Sequence, residues 1–241
     1  MVNNHIASVF DRDLDKIQAQ IMKMGGLVET AIRDAAAAYE LRDLELARQV
    51  RSNDKIIDQL EETINDECSK LIALRAPTAV DLRLVLSVFK VSANLERIGD
   101  YSKNIAKRTI VLEDLANSDE RRLGLKRLAR EVELMLKDAL DAYVNRDLEL
   151  ARDVIARDIE IDQIYNGLFR EFLTYMMEDP RNITPCMHLH FMAKNMERMG
   201  DHVTTIAEQV VFLVTGQRDD DARDKGDTTS SDPEMSKTSK G

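Results

Sequence analysis

Glycine and proline are scarce in this chain: 241 residues hold 9 Gly and 4 Pro, against average usage of roughly 7% and 5%. Many short strands joined by tight turns would lack their turn residues, so the balance favours long helices over an all-β architecture. Cysteine is equally sparse. Cys68 and Cys186 stand far apart with no CxxC spacing, which fits neither a disulfide framework nor a thiolate metal site, and both read as buried small hydrophobes. No stretch reaches the roughly 18 apolar residues of a membrane span, and MVNNHIASVFDRDLDK has no basic region followed by an apolar one, so a soluble, cytoplasmic protein is expected. Positive charge is in deficit as well. With 34 Lys plus Arg against 44 Asp plus Glu, the net charge is −10, and nucleic-acid backbones and anionic lipid repel such a chain on average. What is abundant is apolar and charged residue together, 44% and 32%. That composition excludes disorder throughout and suffices for one large or two small domains with a buried core.

The chain repeats itself. RDLELAR occurs at 42–48 and again at 146–152, and in the same register Val28/Glu29 answer Val132/Glu133, Asp34/Ala35 answer Asp138/Ala139, and Ala38/Tyr39 answer Ala142/Tyr143. Asp54, Ile57, Asp58 and Gln59 return as Asp158, Ile161, Asp162 and Gln163. Further on, NLERIGD at 94–100 returns as NMERMGD at 195–201 with the spacing shortened by three residues. A tandem duplication follows, with a first repeat over 1–114, a second over 115–216 and a remainder from 217 to 241.

Each repeat reads as three helices. Ile17, Ile21, Met24, Val28, Ile32, Ala35 and Tyr39 recur at helical spacing in a run over about 7–41, and Asp43 is placed to cap the next helix. That second helix runs from Leu44 to about Leu74 with Ala47, Val50, Ile57, Leu60, Ile64, Cys68 and Leu71 along one side, and Pro77 stops it. Thr78 with Asp81 forms a capping-box pattern opening a third helix through about Leu112. The second repeat follows suit from near Ser118, with a break at Arg146/Asp147, a stop at Asp179/Pro180 and a restart at Thr184 with Pro185 in the first turn. The fold class expected is therefore all-α: two tandem three-helix bundles of six long helices, each about 45 Å at 1.5 Å per residue. From Gln217 onward only Ala222 and Met235 are apolar, too little buried surface to offset ordering entropy, and a disordered C-terminal tail is expected there.

Acidic residues four apart on a helix share a face and can bind one hard cation. Asp11/Asp15, Glu62/Asp66 and Glu149/Asp153 have that spacing and read as solvated surface. Two other pairs recur between the repeats: Asp54/Asp58 as Asp158/Asp162, and Glu96/Asp100 as Glu197/Asp201. Asp54 and Asp100, and likewise Asp58 and Glu96, are equidistant from Pro77, so a helical hairpin turning there brings four carboxylates to one level. Asp158, Asp162, Glu197 and Asp201 are likewise equidistant, in pairs, from the Asp179/Pro180 boundary. Each like-charge pair at about 4 Å costs on the order of 4 kcal/mol at an effective dielectric of 20, which a metal ion would resolve. Oxygen ligands favour Mg, Mn or Ca, while carboxylate clusters also accept Fe and Zn. Gly99 and Gly200 sit mid-helix beside the last acid of each motif, at ~1 kcal/mol relative to Ala. They permit either close approach of a ligand or plain tight helix packing.

Other features carry less chemistry. His188, His190 and His202 face Ser87, Phe89 and Tyr101 in the repeat alignment, and so read as surface or interface histidines. Met176, Met177, Met187, Met192, Met196 and Met199 lie at helical spacing and read as core. No glycine-rich phosphate loop, no nucleophile and base arrangement, and no Glu-x-x-His pair of the di-iron bundle enzymes is present in either repeat. No catalytic residue is assigned, and the chain is expected not to be an enzyme.

On NLERIGD at 94–100, NMERMGD at 195–201, the acidic pairs at 54/58 and 158/162 and LTYMMEDPRNI at 173–183, the sequence resembles the PhoU family of phosphate-transport regulatory proteins. The resemblance covers about residues 5–216. It implies binding of divalent or trivalent metal ions (Mg, Mn, Fe or Zn) through Asp54, Asp58, Glu96, Asp100, Asp158, Asp162, Glu197 and Asp201. It also implies association with the ATPase of the Pst phosphate transporter and restraint of the sensor histidine kinase of the phosphate two-component system. A homodimer, no nucleic-acid partner, and peripheral membrane location through partners complete the expectation. Two readings compete with this metal-binding regulatory adaptor: an enzyme built on a carboxylate-bridged metal cluster, and a purely structural helical bundle.

Overall fold

A computed structural model describes residues 2–113 and 122–217 of the chain. The polar segment from 218 onward, and the expected helix start near Ser118, lie outside the described residues. Six long helices follow one another: α1 (Val2–Leu41), α2 (Leu44–Arg75), α3 (Ala79–Glu113), α4 (Arg122–Asn145), α5 (Leu148–Glu178) and α6 (Ile183–Thr215). There is no strand among the described residues. The apolar stripe of α1, from Ile17 to Tyr39, is buried throughout, as is that of α2 apart from the half-buried Leu60.

The connections show the duplication in backbone detail. Arg42 and Arg146 both take left-handed conformations, with φ of 54° and 53°. The residue after each closes its helix with a bond five residues back, Asp43 N to Ala38 O at 2.9 Å and Asp147 N to Ala142 O at 3.0 Å. This closure is what holds a non-glycine residue in a conformation it otherwise avoids. Both aspartates then cap the next helix: the Asp43 carboxylate accepts the N–H of Leu46, and that of Asp147 accepts those of Glu149 and Leu150. Between α2 and α3 the turn centres on Pro77, as expected, but the capping box does not form; the Thr78 carbonyl receives the Asp81 N–H at 3.0 Å. Between α5 and α6 a single 3-10 turn, Pro180–Asn182, intervenes, and Pro185 falls in the first turn of α6.

Within each repeat all three helices touch, and between repeats the contacts run α1 to α4 and α3 to α6. Each inter-repeat contact thus joins equivalent helices, as an approximate twofold between the copies requires. Both pairs are antiparallel. Along α1 and α4, Gly25 meets Leu140, Arg33 Nη1 reaches Glu133 Oε1 at 3.6 Å, and Lys126 Nζ reaches Glu40 Oε1 at 2.7 Å. Along α3 and α6, Arg83 lies over the Phe212 ring, His202 Nδ1 is 2.7 Å from Asn94 Oδ1, and Arg108 Nη1 is 3.3 Å from His188 Nδ1. Tyr101 and His202, equivalent positions, lie in contact with ring centroids 5.6 Å apart and planes tilted by 37°. The pseudo-axis therefore passes near Tyr101 and His202, in the middle of α3 and α6. One apolar core runs through both repeats, and α2 and α5 are the outer helices, each touching only its own repeat.

Two methionine expectations are corrected. Met192, Met196 and Met199 are buried, but Met177 is 78% exposed and Met187 is also exposed, on the face of α6 opposite the buried Cys186 and Leu189. Cys68 and Cys186 are buried and form no disulfide, as expected.

Candidate functional site

The α2–α3 hairpin determines the first carboxylate cluster. Ile57 and Asp54 of α2 pack against Gly99 of α3, where a Cβ would stand 3.1 Å from Ile57 Cδ1 and 3.7 Å from Asp54 Oδ1. The same contact recurs at Gly200, where a Cβ would stand 3.2 Å from Ile161 Cγ2 and 3.4 Å from Asp158 Oδ1. The two glycines therefore serve close helix packing, and that packing draws the first acid of each α2-type motif onto the helix bearing the second motif.

Asp54 is buried, at 3% exposure, while Asp58, Glu96 and Asp100 are half-buried around it. Burial, with the neighbouring carboxylates of Asp58 and Asp100, outweighs the pull of Lys103 and holds the Asp54 carboxyl above its usual range. Glu96 is pushed up to about 7, chiefly by burial and then by the adjacent Asp100 carboxylate, with Arg97 opposing. Across the groove the carboxylates brought together are those of Asp54 and Asp100, while Asp58 acts on Asp54 and Glu96 on Asp100 along their own helices. Asp54 Oδ1 is buried without a hydrogen-bond partner. Beside it a cavity of about 40 Å³, lined in part by Thr30, Asp34 and Asn53, has room for water.

Sequence reasoning missed the cation in this cluster. Lys103 Nζ stands 2.5 Å from Asp54 Oδ2 and 3.1 Å from Asp100 Oδ1, so one ammonium joins an acid of α2 to an acid of α3. These partners raise the Lys103 pKa, most strongly through Asp54. Unlike the acids, Lys103 does not recur between the repeats: Thr204 stands at its place, with its hydroxyl donating to the Gly200 carbonyl at 2.8 Å. Spacing did hold one signal, since Lys103 lies one turn beyond Asp100 on the same face.

In the second cluster Asp162 and Glu197 are buried and Asp158 and Asp201 are half-buried. Lys194 Nζ is 3.0 Å from Glu197 Oε2, and lies 4.9 Å from the centre of the Tyr165 ring. Arg157, where the first repeat has Asn53, holds Asp138 at 2.5 Å and Asp153 at 3.0 Å. Among the described residues, no three His, Cys, Asp or Glu side chains are already arranged to hold one ion. The donors are carboxylate oxygens, the type a hard cation takes, and in the first cluster Asp54 is buried with one oxygen unsatisfied.

The remaining expected features fall into place around these clusters. Glu62, Asp66, Glu149 and Asp153 are exposed; Asp11 lies outside the residues whose side chains are described. His188 and His202 are interface residues between α3 and α6. Burial lowers the pKa of both, aided at His188 by the Arg108 guanidinium. His190 lies among the rings of Tyr165, Phe169 and Phe191. No helix among the described residues is long and apolar enough to cross a membrane.

The PhoU domain model matches the chain twice, over residues 21–109 and 125–210. A phosphate-specific transport system accessory protein PhoU homolog of Rhizobium meliloti is 46% identical over 230 residues, covering 95% of this chain and 97% of that protein. Its counterpart in Caulobacter vibrioides is 42% identical, covering 95% and 100%. Among solved structures, PhoU from Pseudomonas aeruginosa superposes with a TM-score of 0.84 at 39% identity, over 86% of this chain and all of that one. The phosphate transport system regulatory protein PhoU from Streptococcus pneumoniae gives 0.79 at 28%, over 87% and 98%. With a family model spanning both repeats and relatives alike along nearly their whole length, this chain belongs to the PhoU family.

Proposed function

We propose that this chain is a cytoplasmic, metal-binding regulatory adaptor without catalytic activity, a negative regulator of the phosphate-starvation response. It couples the Pst phosphate transporter, through the transporter ATPase, to the sensor histidine kinase of the phosphate two-component system. The observation that carries the reading is the pair of carboxylate clusters built by equivalent hairpins, in a family whose members are named accessory and regulatory proteins of phosphate transport. Net charge of −10 supports protein partners over nucleic acid. Asp54, Asp58, Glu96 and Asp100 would hold a divalent or trivalent ion in the first repeat, and Asp158, Asp162, Glu197 and Asp201 in the second. An ion held there would supply positive charge to offset the repulsion among these carboxylates. Long exposed helix faces offer docking surface for partners and for a second copy.

A deletion strain tests the regulatory reading: starvation genes should stay active in phosphate-rich medium, and normal shut-off would reject it. Metal analysis of protein purified without chelator tests the ion sites, with the Asp100→Ala and Asp201→Ala double variant expected to lose metal. Equal metal in both proteins would remove the assignment. Hydrolysis of phosphate esters by purified protein, abolished by those two changes, would place a metal enzyme first.

A further inference from the structure

The metal reading above treats the two repeats alike, but the first cluster already contains a cation and the duplication shows that this cation is not part of the shared frame. Lys103 Nζ contacts one carboxylate from each wall of the α2–α3 groove, Asp54 Oδ2 at 2.5 Å and Asp100 Oδ1 at 3.1 Å. A single positive point between carboxylates of two helices is the position a bound ion takes in such a groove. Asp54 is 3% exposed, and its other oxygen has no hydrogen-bond partner. The Lys103 side chain is 40% exposed, so its flexible stem has an open path to water. In the second repeat, the equivalent position is Thr204, turned back onto its own helix.

We propose that Lys103 is the resident cation of the first carboxylate cluster, and that a divalent ion enters this half of the protein only by displacing its ammonium from Asp54 and Asp100. The inference rests on the metal reading of these carboxylates and adds a competition that the second repeat, with Thr204 in that place, does not have from this position. Its physical basis is charge neutrality. Two buried or half-buried carboxylates that share one ammonium need a counter-charge, and they accept either that ammonium or an ion from solution. The ammonium needs no ligand concentration, so it holds the cluster closed when divalent ion is scarce. When the ion binds, Lys103 is released to the surface beside α2 and α3. Metal occupancy thereby becomes a change of exposed charge on the outer face of the first repeat.

The test uses the full chain and Mn(II), whose free aqueous form is counted by electron paramagnetic resonance during titration. Lys103→Thr installs the residue the second repeat carries, and Lys103→Met keeps the length of the side chain without its charge. Both should bind Mn(II) at least tenfold more tightly than the wild type in one class of sites. Both should also melt lower than the wild type in chelator and regain stability on adding Mn(II). Lys103→Arg, which keeps the charge, should bind no more tightly than the wild type. If both uncharged variants bind with wild-type affinity, Lys103 does not compete and the inference fails while the metal reading stands. If neither wild type nor variants take up Mn(II) or gain melting temperature from it, the metal reading itself fails and takes this inference with it.

Discussion

Without metal, Glu96 should make the protein less stable as pH rises through neutrality. Its carboxyl is held at about 7 against an ordinary 4.5, first by burial and then by Asp100. A folded-state acid with a raised pKa contributes its full stability below the unfolded value, and loses it as pH climbs toward the folded value. The window is therefore pH 4.5 to about 7, where the unfolded chain ionises and the folded one resists. At 1.36 kcal/mol per pH unit the interval has a ceiling of about 3 kcal/mol. Glu96 and Asp100 keep side-chain exposures of 23% and 32%, and water and salt screen part of that, leaving about 1–2 kcal/mol. Glu96→Gln mimics the protonated form and should escape the loss. Urea unfolding in chelator at pH 5 and pH 8 reads it directly: the variant should gain about 1–2 kcal/mol on the wild type between the two pH values. Parallel behaviour of the two proteins would refute the close approach of Glu96 and Asp100.

Two further outcomes follow from the same structure. Burial and Arg108 depress the His188 pKa below its ordinary 6.5, so the unfolded state takes up its proton first as pH falls, and stability drops below about pH 6.5. His188→Gln should flatten the melting temperature between pH 7 and 5 relative to wild type; an unchanged slope would show that the α3–α6 contact does not restrain that proton. Asp43→Ala and Asp147→Ala each remove a helix cap and should each cost about 1 kcal/mol in chemical denaturation, nearly additively because the sites lie in different repeats. A double variant as stable as the wild type would mean that the left-handed closures at Arg42 and Arg146 suffice alone.

Much of the architecture is a local property and was legible for that reason. The stripe from Ile17 to Tyr39, the caps at Asp43 and Asp147 and the stop at Pro77 depend on neighbours within a turn or two along the chain, and they form as the spacing predicts. Recurrence of RDLELAR and of the NLERIGD element carried the duplication, and equidistance from Pro77 carried the level of Asp54, Asp58, Glu96 and Asp100. Spacing contains no information about helix rotation across a groove or about which long side chain reaches over it. Tertiary packing decided that Gly99 and Gly200 serve the approach of Ile57 and Ile161, that α3 and α6 cross antiparallel with Tyr101 on His202, and that Met177 is left in solvent. It also decided that Lys103 closes the first cluster while Arg157 turns to Asp138 in the second. Helix periodicity is set by the backbone of a single segment, whereas the partner of a charged side chain depends on which helix lies opposite and at what rotation, and only the assembled bundle supplies that.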